Sequence, residues 1–264
     1  MARREKFDRS DVPEASPLRT VMALFALVVV AVLTVLLVRT VWKRAHLDDR
    51  LNDAALNSCL RTQYATQYWD WGVGDDDLNV VLVITVDGDV TSPESGLSAL
   101  SLVVVNHTDG TGTVVDIPVD TRMTSSGVKY TAASAWSALG EAKFIEVVSW
   151  FTNVPADHII VASRDVLGDL EGIRKFGPIN TITSRLLESI RTDMRQKTLL
   201  TFAGEISSIG LDNFTYMEVP RWHEDPAEGD EGVPEGGWEI IHRTDLCRDL
   251  GIFVDPSSEE GPGE

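Results

Sequence analysis

Residues 79–119 read NVVLVITVDGDVTSPESGLSALSLVVVNHTDGTGTVVDIPV, and the fold turns on this stretch. Three of its segments, Asn79–Val86, Ala99–Asn106 and Thr113–Val119, are apolar and rich in β-branched side chains. Runs with so little polar alternation predict strands buried on both faces, hence a central sheet between helices. The second and third segments flank His107-Thr-Asp-Gly-Thr-Gly, in which Asp109-Gly110 is a hairpin signal. Val81, Val83, Leu102, Val104 and Val115 are therefore expected in the middle of the sheet.

Downstream, Thr131–Leu139 and Glu141–Phe151 have helical spacing and are broken at Gly140; His158–Ala162 reads as a fourth strand. Asp165–Ile173 and Thr183–Ile209 read as helical, the second with a break at the capping pair Thr192-Asp193. Phe214–Val219 is a further expected strand, ended by Pro220. Trp222–Gly237 is rich in Glu, Asp, Gly and Pro and reads as a loop. Trp238–His242 and Thr244–Leu250 read as a last strand and a last helix, closed by Gly251. This alternation predicts an α/β fold: a three-layer domain with a central mixed sheet. Upstream, residues 45–70 have the Ala/Leu content and spacing of a helix standing that domain off what precedes it.

What precedes it is a hydrophobic segment. Val21–Val38, VMALFALVVVAVLTVLLV, has Thr34 as its only polar side chain. Eighteen helical residues rise about 27 Å, close to a hydrocarbon core. Arg19 bounds it on one side and Arg39, Lys43 and Arg44 on the other, with Trp42 at headgroup depth. No small-residue cleavage site follows, so the segment reads as an uncleaved transmembrane helix rather than a signal peptide. The expected organisation is a cytoplasmic tail (1–20), a single-pass anchor (21–42), a membrane-proximal helix and turn (43–74), the α/β domain (75–254) and a disordered tail (255–264). The N-terminal tail holds slightly more basic residues than the other flank, which places the N-terminus in the cytoplasm and the domain outside.

The chain has 264 residues and a formal net charge of −18. Residues 1–50 carry nine basic and six acidic side chains, and residues 51–264 carry 14 and 35. So acidic a domain repels nucleic acid, which excludes DNA binding as its business. A polyanionic ligand would need a local cluster of Arg or a bridging cation. Cys59 and Cys247 are the only cysteines. They could close a long loop as a disulfide on an oxidising side, or stand as two unrelated thiols on the terminal helices.

The order of segments resembles the LytR–CpsA–Psr family of cell-envelope proteins. NVVLVITVDGD (79–89) is similar to that family's opening strand, and LSALSLVVVNHTDGTGTVVDIPVDT (97–121) to its hairpin, which usually ends Ile-Pro-Arg-Asp-Thr. Residues 131–173 follow its helix pair, turn, strand and helix, and residues 186–220 its C-terminal region. The likeness covers about two-thirds of the chain. It implies an extracytoplasmic domain that moves a glycopolymer from a polyprenyl pyrophosphate to peptidoglycan, with Mg²⁺ if active. Asp87, Asp120 and Arg122 are the candidate catalytic residues under this resemblance, and Asp87 and Asp120 the candidate metal ligands.

The sequence departs from the family where chemistry is densest. No Arg follows Asp87 within residues 88–96, Ser98 replaces a metal-binding Asp, and Val119 replaces the Arg of the hairpin motif. A segment between Gly172 and Thr181 that would carry a lid and further Arg is missing. Taken alone, Asp87 is also a turn-forming residue before Gly88, and Asp120 and Arg122 also fit a structural ion pair. The four histidines of the domain, His107, His158, His223 and His242, lack ligand spacing, which argues against zinc. Exposed tryptophans in the domain would suit stacking on sugar rings. The expected function is therefore a divergent envelope module that binds or regulates in glycopolymer assembly, with membrane, glycopolymer and envelope proteins as partners. An active phosphotransferase and a bitopic scaffold are the alternatives.

Overall fold

The computed structural model describes residues 32–36, 50–63, 72–92, 94–175, 182–226, 233–234 and 236–254. The chain divides into two units, Met1–His46 and Leu47–Glu264. In the first, 32–36 are helical; the rest of the expected anchor and the tail before it lie outside the described residues. Among the described residues no helix is long and apolar enough to cross a membrane.

The second unit is built on a six-stranded mixed sheet. Its strands are β2 (Leu78–Asp87), β3 (Gly96–Asn106), β4 (Thr111–Asp116), β7 (His158–Ala162), β8 (Ile190–Thr192) and β9 (Thr215–Glu218), in the order β8-β7-β2-β3-β4-β9. The hairpin at Asp109-Gly110 makes β3 and β4 antiparallel. β2 pairs antiparallel with β3 and parallel with β7, and β4 pairs parallel with β9. Small two-stranded pairs join β1 (Gly72–Val73) to β12 (Phe253–Val254), β5 (Arg122–Ser125) to β6 (Val128–Thr131), and β10 (Arg221–Glu224) to β11 (Trp238–Ile241).

Alternate side chains of the sheet feed two cores. Val80, Leu82, Ile84, Leu102, Val104 and Val115 face helices α1 (Ala54–Leu60), α2 (Ala132–Leu139), α3 (Glu141–Thr152) and α7 (Arg243–Asp249). Val81, Val83, Val103, Val105 and Val114 face α4 (Leu167–Lys175), α5 (Ile182–Ser189) and α6 (Gln196–Ile209). Helices on both faces explain why the strands lack polar alternation. The five residues expected at the centre are at most 4 % exposed. Phe144 and Phe202 anchor the two helix layers from full burial, each worth roughly 1.5–3 kcal/mol. At the start of α2 the Thr131 hydroxyl accepts from Ser134 N–H while the Ser134 side chain returns to the Thr131 N–H. Gly140 turns the chain between α2 and α3 at φ +73°, where a side chain would be strained.

Three stretches differ from the sequence expectation. Thr183–Ile209 is not one helix with a break: Ile190–Thr192 is β8, paired with β7 and extending the sheet. Its β-branched residues find an open strand edge, and that outweighs the helical pattern around them. Trp222 is not in a loop but in β10, with Trp222 opposite Ile240 and Glu224 opposite Trp238. Of the helix expected over 45–70, α1 spans seven residues, capped by Asp53, and 61–63 lie outside it. Residues 45–49 and 64–70 lie outside the described residues.

Candidate functional site

The strand directions bring the C-terminal ends of β2, β4, β7 and β9 and the start of β3 to one edge of the sheet. Asp87 is the last residue of β2 and is exposed. Ser98, near the start of β3, donates its hydroxyl to the Thr85 carbonyl at 3.2 Å. Asp120 lies in the turn after β4, 60 % exposed, with Arg221 at 3.7 Å; Arg221 also pairs with Glu218. Arg122 opens β5 and pairs with Glu224 of β10 at 2.6 Å.

These pairings split the three predicted residues. β3 runs between the strand carrying Asp87 and the strand leading to Asp120 and Arg122. Among the described residues Asp87 joins neither of the others in an ion pair, and no three His, Cys, Asp or Glu side chains are grouped to hold a metal. Two solvated carboxylates on separate strands do not make the oxygen cage that Mg²⁺ requires, so the candidate metal set does not fit the ion.

Enclosed space lies beside this edge, against α3. A cavity of about 280 Å³ is lined by Arg122, Trp150, Trp222, His242, Arg243 and Thr244, with apolar side chains of β11. Trp150 and Trp222 are 43 % and 55 % exposed. The Arg243 guanidinium sits 5.4 Å from the Trp150 ring centroid, within cation–π range. The Trp222 and His242 rings meet edge to face at 6.4 Å, and His242 Nδ1 pairs with Asp245 at 2.7 Å. A second cavity, of about 390 Å³, also reaches Trp150 and is lined by Thr62, Thr124, Ser125, Ser126 and Lys143. The sequence flagged the tryptophans as a type but not this assembly. Its signal was present: RWHE (221–224) and WEII (238–241) face each other across an acidic Gly/Pro stretch, a hairpin pattern.

A second half-buried Arg stands at the other side of the sheet. Arg191 of β8 pairs with Asp53 at 3.2 Å and with Glu141, the first residue of α3. Asp53 uses its other oxygen, Oδ1, to cap α1. Burial pushes the Glu141 carboxyl above its usual range, with Arg191 pulling the other way. A small cavity of about 190 Å³ borders this cluster at Val90–Ser92, Trp136 and Gly140. Nearby, Asp193 accepts from the Ile159 N–H and pairs with His158 Nδ1, each at 2.7 Å. The hydrogen bond to Asp193 raises the His158 pKa above its ordinary value of 6.5.

Cys59 and Cys247 are both free and buried, which corrects the disulfide alternative. Burial raises both thiol pKa values, that of Cys247 to about 11.

Together the sheet order and helix layers define a mixed three-layer α/β domain with two half-open, mainly apolar cavities beside Trp150. That fold has solved counterparts. A protein of Enterococcus faecalis described as a transcriptional regulator superposes at TM-score 0.50 with 11% identity, over 69% of this chain and 91% of its own. Bacillus subtilis TagV superposes at 0.49 with 13% identity over 66% and 94%, and TagT of the same organism at 0.43 with 13% identity over 72% and 100%. TagV and TagT are LytR–CpsA–Psr proteins; at identities of 11–13% the likeness is one of fold alone. No family model matches the sequence, and no curated protein does.

Proposed function

We propose that the chain is a single-pass, envelope-facing protein whose LytR–CpsA–Psr-like domain binds cell-wall glycopolymer without transferring it. The observation that carries this reading is the state of the strand-end edge. Arg122 is engaged by Glu224, Arg221 by Glu218 and Asp120, and Asp87 stands exposed with no ion pair among the described residues. A pyrophosphate needs several cations free to converge on it, since each charge-assisted bond contributes about 1.5–3 kcal/mol. Here Glu224 occupies the Nη1 of Arg122, which leaves that guanidinium too few donors for a pyrophosphate. With Val119 and Ser98 in place of a cation and a metal ligand, little remains to hold a leaving group.

The envelope setting rests on the resemblance of residues 97–121 and on the fold, and the membrane topology on Val21–Val38 and its basic flanks. Two measurements test the reading. The full chain in detergent, given a polyprenyl-pyrophosphate-linked glycan and Mg²⁺, shows no hydrolysis or transfer but retains wall glycopolymer in a sedimentation assay. Metal-dependent turnover lost on Asp120→Ala establishes the transferase instead. A reporter fused after Glu264 is active outside the cytoplasm; activity only inside overturns the topology.

A further inference from the structure

The two cavities share Trp150 as a wall and lie side by side as a groove along α3, bounded by β5 and its turn and by the β10–β11 ribbon. We propose that this groove binds several units of a glycan bearing anionic substituents, with the acidic group held between Arg122 and Arg243 and its ring against Trp222. The inference rests on the glycan-binding reading above and names the site and the ligand class.

Three observations converge on it. Trp150 and Trp222 expose large aromatic surface at a cavity wall, where an apolar body with a polar rim suits the CH face of a pyranose. Trp150 is held in place by Phe151, edge to face at 4.7 Å, and by Arg243 on the side of the first cavity. A platform fixed in this way loses little freedom when it binds. Second, the Arg122 Nε is buried and makes no hydrogen bond among the described residues, although its Nη1 pairs with Glu224. A buried donor without an acceptor is costly unless a ligand or water meets it. Third, Arg243 makes no ion pair among the described residues, and its place over the Trp150 ring leaves its charge and its in-plane donors available. Two guanidinium groups line this cavity on a chain of net charge −18. An anion repelled by the domain as a whole therefore meets local attraction in this cavity. The planar forks match a carboxylate or a phosphate bidentately. The second cavity, lined by three hydroxyl side chains on β5 and its turn and by the paired Lys143 and Glu146, offers hydrogen-bonding groups that suit further sugar units.

The test is calorimetric titration of the full chain in detergent at low salt. The probes are a galacturonate oligosaccharide, a hexose phosphate and a neutral glucose oligosaccharide. The anionic probes bind at least about tenfold more tightly than the neutral one and lose affinity as salt is added. The stronger of the two identifies the acidic group. Arg243→Gln and Trp222→Ala each weaken anionic binding by about tenfold, and Trp222→Phe, which keeps a ring, retains most of it. Because Trp222 is more than half exposed, its variants leave the core untouched. Equal binding of anionic and neutral probes, or unchanged affinity in Arg243→Gln and Trp222→Ala, overturns the proposal. If wall glycopolymer sediments equally with the wild type and these variants, the site is wrong and the glycan-binding reading survives. If the small anionic probes bind through Arg243 but wall polymer does not sediment, the site stands and the envelope reading fails.

Discussion

Arg122 and Arg191 are the same residue in nearly the same degree of burial, with side chains 15 % and 16 % exposed, yet they do different work. Each leaves its Nε without an acceptor, and each borders a cavity. Arg191 is gripped by two carboxylates from separate elements, Asp53 ahead of α1 and Glu141 at the start of α3. One cation against two carboxylates leaves that corner negative, and an anion has no reason to enter it. Arg122 is met by Glu224, which is itself 38 % exposed on a two-stranded ribbon, and a second guanidinium lies across the cavity. The comparison teaches that an unsatisfied Arg marks a binding site only where the surrounding charge leaves room for a partner. Arg191 is a clamp and Arg122 a receptor.

Removing each Arg tests this division most sharply. Arg191→Met leaves Asp53 and Glu141 facing each other at 13 % and 21 % exposure with no cation. Stranding partly buried charges costs about 3 kcal/mol, somewhat less than for a fully buried pair. Arg122→Met leaves Glu224 with Lys129 at 3.7 Å and with water, and should cost about 1 kcal/mol or less. Urea unfolding of both variants checks the difference. Equal losses would erase the distinction between clamp and receptor.

The two thiols report the same regions by their reactivity. Cys59 lies on α1 beside the clamp, where burial and then the Glu141 charge raise its pKa. Cys247 lies on α7, the helix that carries Arg243, and its pKa near 11 leaves about a hundredfold less thiolate than an ordinary cysteine. Neither should react with iodoacetamide in the native chain at pH 8, and both should react in urea. Arg191→Met should speed Cys59 labelling more than Cys247 labelling, because it loosens only the first region.

A smaller, pH-dependent effect belongs to the clamp side. The folded His158 pKa is raised by Asp193, so the folded state binds the proton more tightly than the unfolded state does. This contribution is fully present below about pH 6.5, the ordinary value, and is lost as pH rises through the raised folded value. His158→Gln should flatten that part of the stability profile and leave anionic-glycan affinity unchanged. A change in affinity would show the two sides of the sheet to be coupled.

Much of the architecture was legible because the sheet is covered on both faces. Asn79–Val86 and Ala99–Asn106 carry their burial in their composition, and Asp109-Gly110 fixes the hairpin. β8 was not legible, because Ile190–Thr192 is three residues long and its neighbours are helical on either side. Its strand character comes from β7, which no local pattern reports. The site was less legible still. Asp87, Asp120 and Arg122 were chosen for their place after strands, and all three do lie at one edge of the sheet. Burial and partners decide what such residues do, and Glu224 and Trp222 reach Arg122 only because β10 folds back on β11. That pairing spans a polar stretch whose composition reads as loop.

The smallest effect is expected from the two carboxylates that the family resemblance places first. Asp87 is exposed, and Asp120 is 60 % exposed with a guanidinium at 3.7 Å that Glu218 also engages. An exposed pair of this length contributes from nothing to about 1 kcal/mol, and its loss leaves Arg221 still partnered. Asp87→Ala removes a solvated charge at a strand end and should lie within about 0.5 kcal/mol of the wild type. Neither side chain lines the groove around Trp150. Both variants should therefore bind anionic glycan as the wild type does and keep the chain's role in cells. If the double variant Asp87→Ala/Asp120→Ala instead abolishes that role while folding normally, the strand-end edge is the working site. Arg122 would then act there with the carboxylates, and its contrast with Arg191 would need another explanation.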